Sequence, residues 1–258
     1  MNSEYYSNYG DDSIDSYVDE VLLKDELENQ RTDFSKSLCP DDVETVLDVG
    51  AGHGLLMEQL SKKYTCEGLE ITEDKVDFIK RRFNLKATQG SAHKLPFEDQ
   101  SFDMLYCCEV LEHLPFGIYE KALQELQRVS KKYIIVSVPY NEAARSARCP
   151  YCRTIFNPNY HFRTFSQLAM EQLFDTYELV QHEAFGKCKD FSLIPKVVRE
   201  YILPKKFKST TLCPACGYCN QPDSTGVTPT SKPSPLSQFL PKKPRWHIAV
   251  YRKRQVSQ

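Results

Sequence analysis

The amino-acid sequence predicts an α/β protein built on a doubly wound, mostly parallel sheet. Short apolar or β-branched runs alternate with amphipathic segments from residue 45 to residue 139, and a glycine-rich turn follows the first run. Strands and helices that alternate in this way form βαβ crossovers, which place helices on both faces of a parallel sheet. A chain of 258 residues is long enough to bury a substantial core around such a sheet.

The N-terminal segment, residues 1–40, is predicted to be helical. Apolar side chains recur at helical spacing from Ser13 to Leu38, and Pro40 ends the pattern, so we expect one or two amphipathic helices. Three tyrosines precede them and have two interpretations, an aromatic flap over a bound ligand or a disordered tail. They are Tyr5, Tyr6 and Tyr9.

The predicted core comprises residues 41–185 and 245–258. Its elements in chain order are a strand at Thr45–Val49, a helix at Leu55–Lys63, a strand at Cys66–Ile71, a helix at Asp74–Asn84, strands at Leu85–Gln89 and Phe102–Cys107, a helix at 118–131, a strand at Lys132–Pro139, a helix near Ser166–Asp175, and strands at Tyr177–Phe185 and Arg245–Tyr251. Residues 186–244 are expected to form an insertion, and the proline-rich composition of its second half indicates a loop.

Charge is distributed unevenly along the chain, although the net charge is only −2. Residues 1–45 carry 13 acidic and 3 basic side chains, whereas residues 186–258 carry 3 and 14. The basic segment either attracts an anionic substrate or nucleic acid, or is simply solvated or close to the acidic segment; the dispersed charges favour the second interpretation.

The sequence also bears on location. No apolar run approaches the roughly 20 residues of a membrane span, and no basic stretch followed by an apolar run marks a secretory signal. We therefore expect a cytoplasmic protein whose ten cysteines are reduced thiols or metal ligands.

A glycine-rich turn and an acidic residue together indicate a nucleoside site. Gly50, Gly52 and Gly54 follow the first strand, where glycine lets the backbone turn tightly and approach a ligand. Leu55 stands where the dinucleotide fingerprint needs glycine, so the spacing favours a different nucleoside ligand. Glu70, at the end of the second strand, is placed to accept hydrogen bonds from the ribose hydroxyls of an adenosine ligand.

Together with the segments 90–103 and 108–114, these motifs resemble class I S-adenosylmethionine-dependent methyltransferases of the type-11 methyltransferase-domain group. The resemblance runs from about Val43 to Pro139 and implies a seven-stranded, Rossmann-like methyltransferase fold. It also implies S-adenosylmethionine as the cofactor and methyl transfer as the activity.

The resemblance implies a role for each matching position. Asp48 would orient the loop and the cationic end of the cofactor, and Glu109 would begin the segment beneath the methyl donor. The other implied contacts are the main chain of Gly50, Ala51 and Gly52 at the methionine part, Glu70 at the ribose, Ile71 at the adenine ring, and Ser91 and Ala92 at the adenine amino group. Ser91 stands where many relatives carry aspartate, so main-chain groups are expected to supply part of the adenine contact.

Two histidines are candidate catalytic residues. His113 follows Glu112, and the two side chains form either an acid/base pair or an ordinary first helical turn. His161 and Arg163 belong to an H-x-R-x-F-S segment that resembles the substrate side of bacterial methyltransferases of this group. In an extended segment both side chains point the same way, into an acceptor pocket or into a packed loop. His161 would then act as a general base and Arg163 would bind an anionic group.

Two C-P-x-C sequences predict a structural zinc site. Cys149 with Cys152 and Cys213 with Cys216 have the spacing at which paired thiolates bind one tetrahedral ion. The first pair follows the fifth parallel strand, and a loop between the sixth and seventh strands of the implied fold leaves from the same sheet edge. We therefore expect Zn²⁺ to clamp a lid to the core, with Cys219 or His161 as alternative ligands.

The function that the sequence favours is methyl transfer to a small molecule, most simply to an oxygen nucleophile. Arg145, Arg148 and Arg163 suggest that the acceptor is partly anionic. Two alternatives remain open: methylation of RNA or protein gripped by the basic zinc-bearing insertion, and a non-catalytic binding module. The oligomeric state is not predicted by the sequence.

Overall fold

The computed structural model describes residues 15, 18–142, 147–149, 152–157, 159–190, 195 and 239–255. Its strands are β1 Thr45–Val49, β2 Thr65–Glu70, β3 Lys86–Gln89, β4 Phe102–Cys108, β5 Ser130–Pro139, β6 Ala147–Arg148, β7 Ile155–Phe156, β8 Tyr177–Phe185, β9 Cys188–Lys189, β10 Lys242–Lys243 and β11 Trp246–Lys253. Its α-helices are α1 Glu26–Ser37, α2 Leu55–Leu60, α3 Glu73–Phe83, α4 Ile118–Val129 and α5 Gln167–Glu171, with a π-helical turn at Val18–Leu22 and a 3₁₀ turn at Leu111–His113.

Seven strands form the central sheet in the order β3-β2-β1-β4-β5-β11-β8. β1 pairs in parallel with β2 and β4, and β3 and β5 extend the parallel part on either side. β11 lies antiparallel between β5 and β8, as the sequence resemblance implies. The prediction of a mostly parallel seven-stranded sheet is therefore confirmed.

Both faces of the sheet are covered because its strands are apolar at successive positions. Leu47 and Leu105 belong to a buried cluster that also contains Leu126 of α4. Their neighbours Val46 and Tyr106 belong to a second cluster, together with Leu60 of α2. Successive side chains of a strand point to opposite faces, so this division places α4 and α2 on opposite sides of the sheet.

The N-terminal helix is shorter than the sequence pattern predicts. The Asp25 carboxylate accepts hydrogen bonds from the N–H groups of Leu27 and Glu28 and so starts α1 at Glu26, after the separate π-helical turn. The three N-terminal tyrosines lie outside the described residues.

The C-terminal half also departs from the prediction. The helix expected near Ser166–Asp175 ends at Glu171, because Leu173 and Phe174 turn into the core, where the Phe174 ring lies 4.9 Å from that of Tyr251. The two ends of the expected insertion pair with each other as the antiparallel strands β9 and β10. Among the described residues, no helix combines the length and the apolar character needed to cross a bilayer.

Candidate functional site

The glycine turn after β1 folds back over the end of β2. The N–H groups of Gly50 and Ala51 both donate to the carbonyl oxygen of Leu69, at 2.8 and 3.0 Å. Gly50, Gly52 and Gly54 have φ values of +80°, +57° and +75°, which glycine adopts far more readily than other residues. A Cβ on Gly52 would meet no atom within 4 Å, so the loop presents bare main chain to open space at this position.

Glu70 joins the end of β2 to the glycine turn. Its carboxylate accepts hydrogen bonds from the N–H groups of Gly52, at 2.9 Å, and Ile71, at 2.8 Å, with a longer contact to Thr72. Only 4% of the residue is exposed. The carboxylate predicted to hold a ribose therefore also fixes the loop predicted to hold the rest of the ligand.

Asp48 lies in β1, between Gly68 of β2 and Tyr106 of β4. Burial raises the pKa of its carboxyl group to about 7, although the guanidinium of Arg31 acts in the opposite direction. A buried carboxylate of this kind is stabilised in its charged form by a nearby cation.

Glu109 follows β4 with a φ of +57°, which is a strained conformation for a residue with a Cβ. Its two carboxylate oxygens accept hydrogen bonds from Ser137 Oγ and Trp246 Nε1, each at 3.1 Å. Burial raises the pKa of its carboxyl group, and the positive charge of Arg31 opposes that shift. Since β1, β2 and β4 are adjacent and parallel, Asp48, Glu70 and Glu109 lie near the carboxyl ends of these strands, along one edge of the sheet.

The segment after β3 holds the remaining predicted cofactor residues. The Gly90 N–H donates to the carbonyl oxygen of Glu70 at 2.9 Å, which ties this segment to the end of β2. Ser91 Oγ lies 2.6 Å from Nδ1 of His93. Ala92 is buried in the core cluster.

A second group of polar side chains lies just beyond Glu109. Glu112, His113 and His161 bring one ligand atom each to within 4.8 Å of one another, and the two imidazole rings pack edge to face with centroids 4.7 Å apart. Both predicted catalytic histidines therefore meet, together with Glu112. Burial lowers the pKa of His113 to about 4 and raises that of Glu112 well above its usual range.

The segment that carries His161 is fastened to this group. The Phe162 N–H donates to the Glu112 carbonyl oxygen at 2.8 Å, and His161 Nδ1 is hydrogen-bonded to a carboxylate oxygen of Glu142. Arg163 stacks on Tyr119, with its guanidinium carbon 3.5 Å from the ring centroid. It also donates to the Leu114 carbonyl oxygen at 2.7 Å, which favours the packed-loop interpretation of this arginine.

The first cysteine pair forms a tight turn. Cys149 is buried and Cys152 exposed, and β6 and β7 pair on either side of the turn. The Cys152 N–H points to Cys149 Sγ at 3.5 Å, and Cys152 Sγ donates to Thr154 Oγ1 at 3.3 Å. Cys213, Cys216 and Cys219 lie outside the described residues, as do Arg145 and the side chain of Arg148.

Four site residues were missed by the sequence analysis. Arg31 of α1 lies over Trp246, 5.5 Å from the ring centroid, and bonds to Glu28 at 2.9 Å. Glu28 in turn bonds to Arg245 at 3.1 Å, so α1 is held against the start of β11 beside Glu109. Glu142 is the fourth. Apart from the i,i+3 pair of Arg31 with Glu28, these contacts join residues far apart in the chain, and no local pattern signals them.

A methyltransferase domain family matches residues 46–133, the segment that contains the glycine turn, Glu70 and Glu109. An uncharacterised protein of Methanocaldococcus jannaschii is 38% identical over 98 residues, which are 36% of this chain and 40% of that protein. A fatty-acid O-methyltransferase of Mycolicibacterium smegmatis is 37% identical over 90 residues, which are 33% of this chain and 32% of that enzyme. The chain thus spans well under half the length of these curated relatives.

The fold is shared more widely than the sequence. The structure of Burkholderia thailandensis 1,6-didemethyltoxoflavin-N1-methyltransferase, with bound 1,6-didemethyltoxoflavin and S-adenosylhomocysteine, superposes with a TM-score of 0.55 at 14% identity. The superposition covers 95% of this chain and 86% of that one. Residues 46–133 thus match a methyltransferase domain family, and the chain as a whole has the fold of the methyltransferase on which it superposes.

Proposed function

We propose that the protein is an S-adenosylmethionine-dependent methyltransferase that methylates an oxygen atom of a small molecule. One observation carries the proposal: the segment Glu109–His113 leads from the carboxylates around the glycine turn directly to the Glu112–His113–His161 cluster. A cofactor side and an acceptor side therefore adjoin at one sheet edge, the edge where open α/β sheets bind ligands.

The residues present fit S-adenosylmethionine, which supplies an electrophilic methyl group on a positively charged sulfonium. Asp48 and Glu109 are buried carboxyl groups whose pKa values burial raises, and the cationic end of the cofactor would stabilise their charged forms. Gly52 has bare main chain facing open space, and the Glu70 carboxylate is already held beside it. Ile71, Ser91 and Ala92 are proposed to hold the adenine part; Ala51 and Gly50 line the methionine part.

The acceptor is proposed to carry an apolar portion beside its reactive oxygen. Phe116 and Phe162 are 81% and 47% exposed; Arg163 lies over the Phe116 ring, and Phe162 follows His161 in the chain. A fatty-acid O-methyltransferase among the relatives supports this class of acceptor. His113 and His161 are proposed to contact the acceptor's oxygen, since they occupy the end of the Glu109–His113 segment away from the cofactor side.

A structural zinc ion remains part of the proposal. The tight turn between β6 and β7 supports it, because it holds Cys149 and Cys152 at the spacing of paired zinc ligands. Cys213 and Cys216 are proposed as the other two ligands. A cytoplasmic location is proposed with it, because thiolates that bind zinc stay reduced in that compartment.

The proposed activity is tested by identifying the product. The purified protein is incubated with a small-molecule extract of the source cells in two parallel reactions, one with ordinary and one with deuteromethyl S-adenosylmethionine. The products of both reactions are compared by mass spectrometry. We expect a pair of products that differ only by the deuterium label, with fragments that place the methyl group on oxygen. Label on nitrogen or carbon would refute the oxygen assignment, and no labelled product would count against the small-molecule acceptor.

A further inference from the structure

We propose that Glu112, His113 and His161 form a binding site for a divalent first-row transition-metal cation. One ligand atom from each residue lies within 4.8 Å of the other two. Neighbouring ligands on such a cation are about 3 Å apart when each metal–ligand distance is about 2.1 Å. Small rotations of the three side chains are therefore enough to complete the site.

The Glu112 carboxylate supplies an independent reason to place a cation here. The residue is only 1% exposed, and neither carboxylate oxygen has a hydrogen-bond partner within the part of the chain that the structure describes. Buried carboxylates in proteins are nearly always hydrogen-bonded, paired with a charge or bound to a metal, because an unpartnered one is strongly disfavoured. A cation between Glu112 and the two imidazoles provides the missing partner.

Glu142 acts as a positioning residue for this site. Its carboxylate is hydrogen-bonded to Nδ1 of His161, which leaves Nε2 as the ring atom able to bind a cation. Metal-binding histidines usually have their other ring nitrogen bonded in this way, which fixes the tautomer and the ring orientation. The Phe162 N–H bond to the Glu112 carbonyl oxygen, at 2.8 Å, holds the two ligand-bearing segments together.

The donor set indicates which cations fit. Two imidazole nitrogens and one carboxylate suit Mn²⁺, Fe²⁺ or Zn²⁺, whereas Ca²⁺ and Mg²⁺ prefer sites made of oxygen alone. Three protein ligands leave coordination positions open. This role rests on the proposed function: the open positions would bind oxygen atoms of the methyl acceptor and so orient it.

Mn²⁺ is the probe, because it avoids thiolates and the proposed cysteine site. Protein purified without chelator is dialysed to equilibrium against Mn²⁺, and total bound metal is measured by mass spectrometry. The wild type is compared with Glu112→Gln, with His161→Ala, and with Glu98→Gln as a matched control, since Glu98 is exposed and outside the cluster. Metal held by cysteines contributes equally to the wild type, Glu98→Gln and Glu112→Gln, whereas His161→Ala would also lose it where His161 is a ligand of the cysteine site.

We expect the wild type and Glu98→Gln to bind one more metal ion per chain than Glu112→Gln and His161→Ala. Glu142→Gln should weaken Mn²⁺ binding about 10- to 100-fold, the usual effect of removing a carboxylate behind a metal-bound histidine. Equal metal content in the wild type and in folded Glu112→Gln and His161→Ala would overturn the inference. Circular dichroism verifies that the variants are folded.

The same samples separate this inference from the proposed activity. S-adenosylhomocysteine binding is measured by calorimetry on the wild type and on Glu112→Gln. Cofactor binding without the additional metal ion would refute the cation site alone. The additional metal ion without cofactor binding would refute the proposed activity and leave the cation site in place.

Discussion

Replacing Glu70 by alanine tests the cofactor site. The sequence predicts that this carboxylate binds the ribose, and in the structure the carboxylate is bonded to the glycine turn. Its buried carboxylate accepts hydrogen bonds from Gly52 and Ile71, at 2.9 and 2.8 Å. Glu70→Ala removes the acceptor for the ribose hydroxyls and loosens the turn beside it. The loss of hydrogen bonds to a charged group should weaken binding by about 1–3 kcal/mol, or roughly 5- to 150-fold in Kd.

The assay is calorimetric titration with S-adenosylhomocysteine, and the same strand offers a control. Glu67 is three residues earlier in β2 and 7% exposed, and its carboxylate bonds to Thr88 Oγ1 at 2.9 Å and Lys86 Nζ at 2.7 Å. Glu67→Ala should destabilise the fold while leaving the affinity within about twofold of the wild type. Unchanged affinity in Glu70→Ala, or an equal loss in both variants, would refute the ribose assignment.

Three further predictions concern stability and metal content. Gly50→Ala should lower the free energy of unfolding, measured by urea denaturation, by about 2–4 kcal/mol, because φ is +80° and the new Cβ would lie 2.4 Å from Val110 Cγ2. Adding Val110→Ala should recover the part of this loss that is due to the clash. A double variant with no recovery would contradict the steric cause. Burial lowers the pKa of His247 to about 4, below its unfolded value of about 6.5. The unfolded chain then binds more protons at this residue, so the contribution of His247 to stability should fall by up to about 3 kcal/mol from pH 6.5 to 4. His247→Gln should lack this component of the pH dependence of stability, and the same pH dependence in both proteins would contradict it. Finally, Cys149→Ser should lower the zinc content of a protein purified without chelator by one ion per chain, and zinc absent from the wild type would rule out the cysteine site.

Much of the central sheet could be predicted because its signals are local. β1 at Thr45–Val49 and β8 at Tyr177–Phe185 have the bounds that the sequence predicts. The glycine turn and Glu70 could be placed as well, since each follows directly from the end of a strand. Their functional roles remain proposals.

The acceptor side could be predicted only in part, because its contacts depend on tertiary packing. His113 and His161 were separate candidates in the sequence, and only the fold brings them together with Glu112. The contacts of Glu142 with His161 and of Arg31 with Trp246 carry no local signal, since they join distant parts of the chain. The end of α5 is likewise decided by burial of Phe174, which no helical periodicity expresses.

The most direct test of the proposed activity is methyl transfer itself. Purified protein is incubated with radiolabelled S-adenosylmethionine and a whole extract of the source cells, which is then separated into small molecules, RNA and protein. We expect label in the small-molecule fraction. Glu70→Ala should reduce this label along with the affinity for the cofactor, whereas Glu67→Ala should retain it. Label in RNA or protein would contradict the acceptor class, and no label in any fraction would contradict the enzymatic role.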